Sequence, residues 1–347
     1  MVKRYLCSGL TISLTILFFL VSMSPAPCTG ADEKGIGMVT GSKTGTYFRF
    51  GKEIAEKAEA AGLNIIVKSS KGSISNIERL TSSENVSFAM VQSDVLGFLK
   101  RSDSPKMKKI AKKLRVIFPF HNEEIHVFAN KSIKRFEDIQ GKRLIMDIEG
   151  GGSWLSANNM LRITGVKPAE IIYLRPAEAV KAVLMEKAEA MIYVVGKPAT
   201  LFTNLEEIQS KYPKLIEAVH FVPLDHSELL REYTPSEIMG SDYSWFGSTI
   251  PTVALKAVLI SYDFSSRHNA YYRKRCQQLA TLGQVIRDNI GELRQSGHPK
   301  WKEVDLDGDT GIWKADTCSR THTQPETRKK QPDSNISKEL LKMLEKE

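Results

Sequence analysis

The feature that most constrains this chain is a recurring local pattern in which a short apolar run meets a turn of small residues and then an amphipathic helical segment. Residues 36–40 read as a strand, Gly41 to Gly45 as a turn, and residues 46–61 as a helix with Phe50, Ile54, Ala55 and Ala58 on one face. Residues 63–69 read as a second strand. Ile74, Ile77 and Leu80 then repeat at helical spacing after Gly72, and residues 86–91 form a third apolar run. Strands alternating with helices in this way imply an α/β architecture with largely parallel sheets.

The alternation then restarts. Two β-rich runs, residues 114–120 and 125–129, flank the polar stretch His121 to Glu124, which we read as the passage into a second lobe. That lobe is expected to hold a strand at 144–148, a helix at 153–164, a strand at 171–174, a helix at 176–187 and a strand at 191–195. Residues 219–224 are expected to return the chain to the first lobe. The division predicted is thus 32–121 with 220–316 for lobe 1, 122–219 for lobe 2, and a polar tail at 317–347. Residues 320–335 are too polar to offset the entropy of ordering, and 336–344 could form only a short, marginal helix.

The first residues point to export. Lys3 and Arg4 precede an apolar run of about fourteen residues, shorter than the roughly twenty needed to span a bilayer, and small residues surround Gly30 and Ala31. A signal peptide over residues 1–31, cleaved near Ala31, and a periplasmic product are expected. Lipid attachment at Cys28 is the lesser alternative, because Pro25 and Pro27 occupy positions where aliphatic and small residues are wanted. Removing Lys3 and Arg4 lowers the formal charge from +9 to +7. That is a mild bias toward acidic ligands, without the dense basic stripe that nucleic-acid binding requires. Cys276 and Cys318 would remain, compatible with one disulfide or with two separate thiols.

Three turns, Gly41 to Thr46, Ser69 to Ser73 and Gly150 to Ser153, each link a strand to a helix start. Unpaired amides and the partial positive charge at such a start suit a carboxylate or phosphate. Taken singly, each turn is better explained as a chain reversal; three together, two in one lobe and one in the other, are not so readily explained. Nucleotide motifs fail on spacing: after Gly35 and Gly37 the third glycine arrives late at Gly41, and Lys43 follows Ser42 in the wrong register for a phosphate loop. Gly151, Gly152 and Ser153 do not complete a nucleophile elbow, since Leu155 stands where glycine is needed. His121 and His126, five apart with Glu123 and Glu124 between, match no zinc motif and read as solvated or hinge residues. Asp305, Asp307, Asp309 and Asp316 imitate a calcium loop but lack its turn glycine, with Thr310 in its place. No metal, no cofactor and no catalytic residue is expected.

Several of these segments carry a family resemblance. The run Val39-Thr40-Gly41-Ser42-Lys43-Thr44-Gly45-Thr46-Tyr47-Phe48 resembles the opening of the TRAP-associated extracytoplasmic immunogenic (TAXI) receptors. Gly72-Ser73-Ile74-Ser75-Asn76 is similar to their Gly-Ser-x-x-Asn element, and Ala89-Met90-Val91-Gln92-Ser93-Asp94 to their Ala-x-x-Gln-x-Asp strand end. Ile139-Gln140-Gly141-Lys142-Arg143, Gly150-Gly151-Gly152-Ser153 and Gly196-Lys197-Pro198 extend the similarity, which runs from about Ile36 to Asp316.

The resemblance implies a type II periplasmic-binding-protein fold, with two α/β lobes joined by hinge strands and a ligand in the cleft between them. It implies a monomeric, non-enzymatic receptor that passes a small carboxylate, glutamate-like or 2-oxoglutarate-like, to the integral membrane subunits of a TRAP transporter. Carried over by position, the binding residues are Thr44, Tyr47, Ser73, Asn76, Gln92, Gly152, Ser153 and Gly196, with Tyr243 a further candidate. Two departures stand out: Lys43 replaces a small residue, and Trp154 replaces a small hydroxyl residue, placing an indole beside the expected cleft. A sensor for a membrane signalling protein and a receptor for an ATP-driven importer are alternatives on the same fold.

Overall fold

The computed structural model describes residues 35–82 and 85–320; the expected signal peptide, the Cys28 alternative and the tail beyond Arg320 lie outside the described residues. Ten strands form one sheet: β1 (Ile36–Val39), β2 (Ile65–Lys68), β3 (Val86–Gln92), β4 (Leu114–Asn130), β5 (Arg143–Met146), β6 (Glu170–Tyr173), β7 (Ala190–Val195), β8 (Val219–Phe221), β9 (Thr234–Ile238) and β10 (Ile250–Tyr262). Their main order is β2-β1-β3-β10-β4-β7-β5-β6, with β8 on β4 and β9 on β10.

Two long antiparallel strands organise this sheet. Residues 114–124 of β4 pair with β10, and residues 124–129 of the same strand pair with β7. On one side β1 runs parallel to β2 and β3, and on the other β5 runs parallel to β6 and β7. The same small α/β unit therefore occurs twice, joined through β4 and β10, which is the type II periplasmic-binding-protein architecture.

Strand periodicity feeds separate core layers on the two faces of each half. Met38, Phe88 and Met90 pack on one face against α1 (Thr46–Ala60) and the long helix Ala270–Ser296. Val39, Ala89 and Val91 point oppositely, toward α2 (Ser73–Leu80) and α3 (Val95–Arg101). In the second half Leu144 and Met146 face α4 (Gly152–Thr164), while Ile145 faces α5 (Pro176–Leu184). Phe50 anchors the first layer, stacked on Trp301 with centroids 4.0 Å apart, a burial worth roughly 1.5–3 kcal/mol. Trp301 Nε1 donates to Glu53 Oε2 at 2.6 Å, which satisfies the one polar atom of the indole.

Three expectations need correction. Residues 121–124 do not break the sequence into two strands: β4 is continuous, and His121, Glu123 and Glu124 are buried within it rather than solvated. His121 packs beside Phe50 and His126 beside Phe202, in separate cores. The run at 219–224 does not return to the first half. β8 pairs with Phe128 to Asn130, and Val222, Leu224 and Leu229 join the second half's core; the return is made by β10. An apolar run announces a strand but not which sheet edge it will complete. Finally, order continues past residue 316. Cys318 is disulfide-bonded to Cys276 with Cα atoms 5.1 Å apart. Ser319 lies so close to the long helix that a Cβ at Gly283 would stand 2.2 Å from its carbonyl oxygen.

Candidate functional site

The helix starts of both halves converge on one cleft at the carboxyl ends of β1, β3, β5 and β7, the edge where open α/β sheets receive ligands. Thr46 and Tyr47 begin α1, Ser73 begins α2, and Gly152 and Ser153 begin α4; all five line a cleft of about 190 Å³. Among the described residues no side chain caps any of these three starts, so their first amides remain available. Gly72 has φ 132°, a conformation that favours glycine, and a Cβ there would lie 3.0 Å from the Gly152 amide nitrogen. The two halves thus touch, glycine against glycine, at the mouths of α2 and α4.

Each half repeats one device at its helix start. Ser73 Oγ accepts from the Gln92 backbone N–H at 3.0 Å, and Ser153 Oγ accepts from the Val194 backbone N–H at 3.0 Å. Both hydroxyl oxygens are held by the neighbouring strand end, which leaves each O–H proton to donate into the cleft.

Acidic groups complete the lining. Tyr47 donates its phenol proton to Glu123 Oε2 at 2.7 Å. Burial pushes the Glu123 carboxyl up to about 7, aided by the charges of Asp94 and Glu124 and opposed by hydrogen bonds from Tyr47 and Gln92. Asp147, whose Oδ1 accepts from the Ile148 backbone N–H at 2.8 Å, is also raised by burial. Tyr193 stands nearby, its phenol pushed up to about 12 by burial. No Lys, Arg or His lines the cleft among the described residues. Lys300 Nζ would stand 3.3 Å from a Cβ at the lining residue Gly196 and is paired with Glu303 at 2.6 Å.

The nine positions expected from the sequence divide. Tyr47, Ser73, Gln92, Gly152, Ser153 and Gly196 meet in this cleft. Thr44 is exposed on the turn and outside the lining, as is Lys43. Asn76 is fully buried below the cleft, its Nδ2 donating to Thr40 O and Met90 O, both at 2.6 Å, so it ties α2 to β1 and β3. Tyr243 belongs to the second half's core: its hydroxyl bonds His126 Nε2 at 2.8 Å and accepts from the Ala199 amide at 3.0 Å. Trp154 is not in the lining either, because it turns across to Phe98 of the first half, centroids 6.0 Å apart.

Glu123, Asp147 and Tyr193 are lining residues that sequence reasoning missed, whereas Thr46 ends a turn it had singled out. Glu123 carried a signal, a carboxylate in a polar stretch flanked by two apolar β runs, and Asp147 another, its place between a strand end and a glycine turn. Larger surface concavities exist, including one of about 650 Å³ under Ile74, Met107 and Tyr272. They lack the convergence of helix starts and polar groups that marks the interdomain cleft. Among the described residues no group of His, Cys, Asp or Glu could hold a metal ion, and no helix is long and apolar enough to cross a membrane.

Among solved structures, the chain is similar to a histidine kinase sensor domain that itself resembles periplasmic binding proteins (11% identity, 78% of this chain and 97% of that one, TM-score 0.44). It is similar to the periplasmic binding protein BugD (13% identity, 79% and 88%, TM-score 0.44). A periplasmic sulfonate-binding protein, SsuA from Methylobacillus flagellatus KT, matches at 10% identity over 76% of this chain and 70% of that one, TM-score 0.44. The family match is broader than any single motif: residues 38–272 fit the model of the NMT1-like family, and this chain belongs to that family.

Proposed function

We propose that the protein is an exported solute-binding receptor of a TRAP-type secondary transporter, which captures a small carboxylate and delivers it to membrane subunits without transforming it. The observation that carries this reading is the meeting of α2 and α4, helix starts from opposite halves, with Ser73, Gly152 and Ser153 lining one cleft. Free amides and two oriented hydroxyls offer a carboxylate several charge-assisted hydrogen bonds. The arrangement of motifs shared with TAXI receptors supports the transporter class.

The two halves act as lobes, 35–123 with 255–320 and 124–254, hinged on β4 and β10. A cleft of about 190 Å³ is under the roughly 300–1,000 Å³ of drug-sized sites. The cargo is therefore small. Release is as necessary as capture, and a micromolar dissociation constant needs only about 8 kcal/mol in total. Native mass spectrometry of the protein purified from its own periplasm tests the reading: a bound carboxylate of amino-acid size is expected. A ligand-free protein that also shows no calorimetric response to small carboxylates would reject it.

A further inference from the structure

Resting on the cleft reading above, we propose that Glu123, Gln92 and Asp147 form an ammonium subsite, so that the cargo is a zwitterion with a protonated nitrogen near its carboxylate, and its oxo or desamino counterpart is rejected. The cleft is polarised by chemistry. Its helix starts and serine hydroxyls are donors, whereas Glu123 and Asp147 are acceptors; among the described residues no Lys, Arg or His shares the lining with them, and the charge of Arg175 acts on Asp147 from outside it.

The independent observation is Gln92. Its side chain is buried, lines the cleft, and supports the Glu123 carboxylate, which requires the amide nitrogen to face Glu123. Its Oε1 is left buried with no hydrogen-bond partner among the described residues. This oxygen reaches across to the other half, occupying the space where a Cβ at Gly152 would lie 2.2 Å away. An orphaned buried acceptor in a cleft that two carboxylates also line asks for a donor with positive charge. A cargo with a second carboxylate and no nitrogen would instead meet Glu123 and Asp147 as like charges in a partly desolvated site. Tyr47 fixes the Glu123 carboxylate in place from the first half, at 2.7 Å, and so acts as a positioning residue.

Isothermal titration of the ligand-free protein at pH 8 tests this, using the common α-amino acids, each paired with its 2-oxo acid. At least one amino acid is expected to bind, with its 2-oxo partner at least tenfold weaker. Glu123→Gln is expected to lower that amino acid's affinity tenfold or more and to collapse the amino-to-oxo ratio, while leaving the ligand-free protein folded; Asp147→Asn is a second variant with the same expected direction. An oxo acid that binds as well as its amino partner overturns the ammonium subsite and leaves the carboxylate receptor standing. An unchanged ratio in both variants does the same, whereas saturation by neither series overturns both readings.

Discussion

Asp94 Oδ2, at the end of β3, accepts a hydrogen bond from Ser156 Oγ at 2.8 Å, although Ser156 lies on α4 in the opposite half. Asn159 Nδ2 and the Tyr233 hydroxyl reach the same oxygen at 3.2 Å each, both also from the second half. One carboxylate thus gathers three donors across the hinge, beside the glycine contact of α2 with α4. The outer pair Arg101 with Glu232, 3.6 Å apart and half exposed, adds little.

Asp94→Ala therefore removes the latch rather than the cleft. Hydrogen bonds to a charged group are worth roughly 1.5–3 kcal/mol each, so ligand affinity is expected to fall at least tenfold by calorimetry. Small-angle scattering should show a larger radius of gyration for the ligand-bound variant than for the bound wild type. Equal radii and equal affinities would show that these contacts do not hold the halves together.

Gly152→Ala places a methyl 2.2 Å from Gln92 Oε1, the far end of a side chain in the other half. The open protein can accommodate it; the closed one cannot without displacing Gln92. The expected result is a tenfold or greater loss of affinity with a melting temperature within about 2 °C of wild type, since no within-half core contact is lost.

Ser73→Ala and Asn76→Ala should part company. Ser73 carries a hydroxyl proton into the cleft, so its loss is expected to weaken binding about tenfold. Asn76→Ala strands two buried backbone carbonyls, Thr40 O and Met90 O. It is expected to cost about 2–4 kcal/mol of stability, read as a lower urea midpoint. A stable Asn76→Ala protein with abolished binding would instead put that amide in direct contact with cargo.

The pH dependence of stability follows from Glu123. Its folded value, about 7, exceeds its ordinary 4.5, so its contribution is complete below about pH 4.5 and is lost as pH rises through 7. Buried His121 and His126, lowered to about 3 and about 4 by burial, act oppositely, because protonating them below about pH 6.5 costs stability. The difference between wild type and Glu123→Gln isolates the carboxyl. The variant is expected to gain up to about 3 kcal/mol relative to wild type between pH 5 and pH 8. Tyr47 and Gln92 favour the ionised form by hydrogen bonding while the charges of Asp94 and Glu124 oppose it, and a difference independent of pH would mean that the two hydrogen bonds outweigh burial and like charge and keep the carboxyl ionised throughout.

Reducing the Cys276 to Cys318 bond, which closes a separation of 42 residues, is expected to cost up to about 4 kcal/mol by loop entropy. Thermal melts with and without reductant check it, and the cleft, whose lining includes neither cysteine, should bind with unchanged affinity.

Much of the architecture was legible because it is written in local signals. Period-2 alternation at Met38 and Val39, helical spacing at Phe50, Ile54 and Ala58, and the glycine turns before Ser73 and Ser153 each act within a few residues. Six expected lining positions meet in the cleft because they sit beside those turns, where strand ends and helix starts must lie together. Asn76 follows one of those turns and Tyr243 lies in the second half's core, and which way each side chain turns depends on partners 14 to 117 positions away.

What the amino-acid order determined by itself is the succession of strands, turns and helix starts, since these depend on backbone conformation and short-range burial. Tertiary structure alone decided that β8 stays with the second half, that the Glu123 carboxylate enters the cleft instead of water, and that Gln92 Oε1 is left without a donor among the described residues. Those outcomes are set by which distant surfaces come together and exclude solvent, and burial changes the charge and hydrogen-bonding needs of a side chain in ways its neighbours in sequence do not encode.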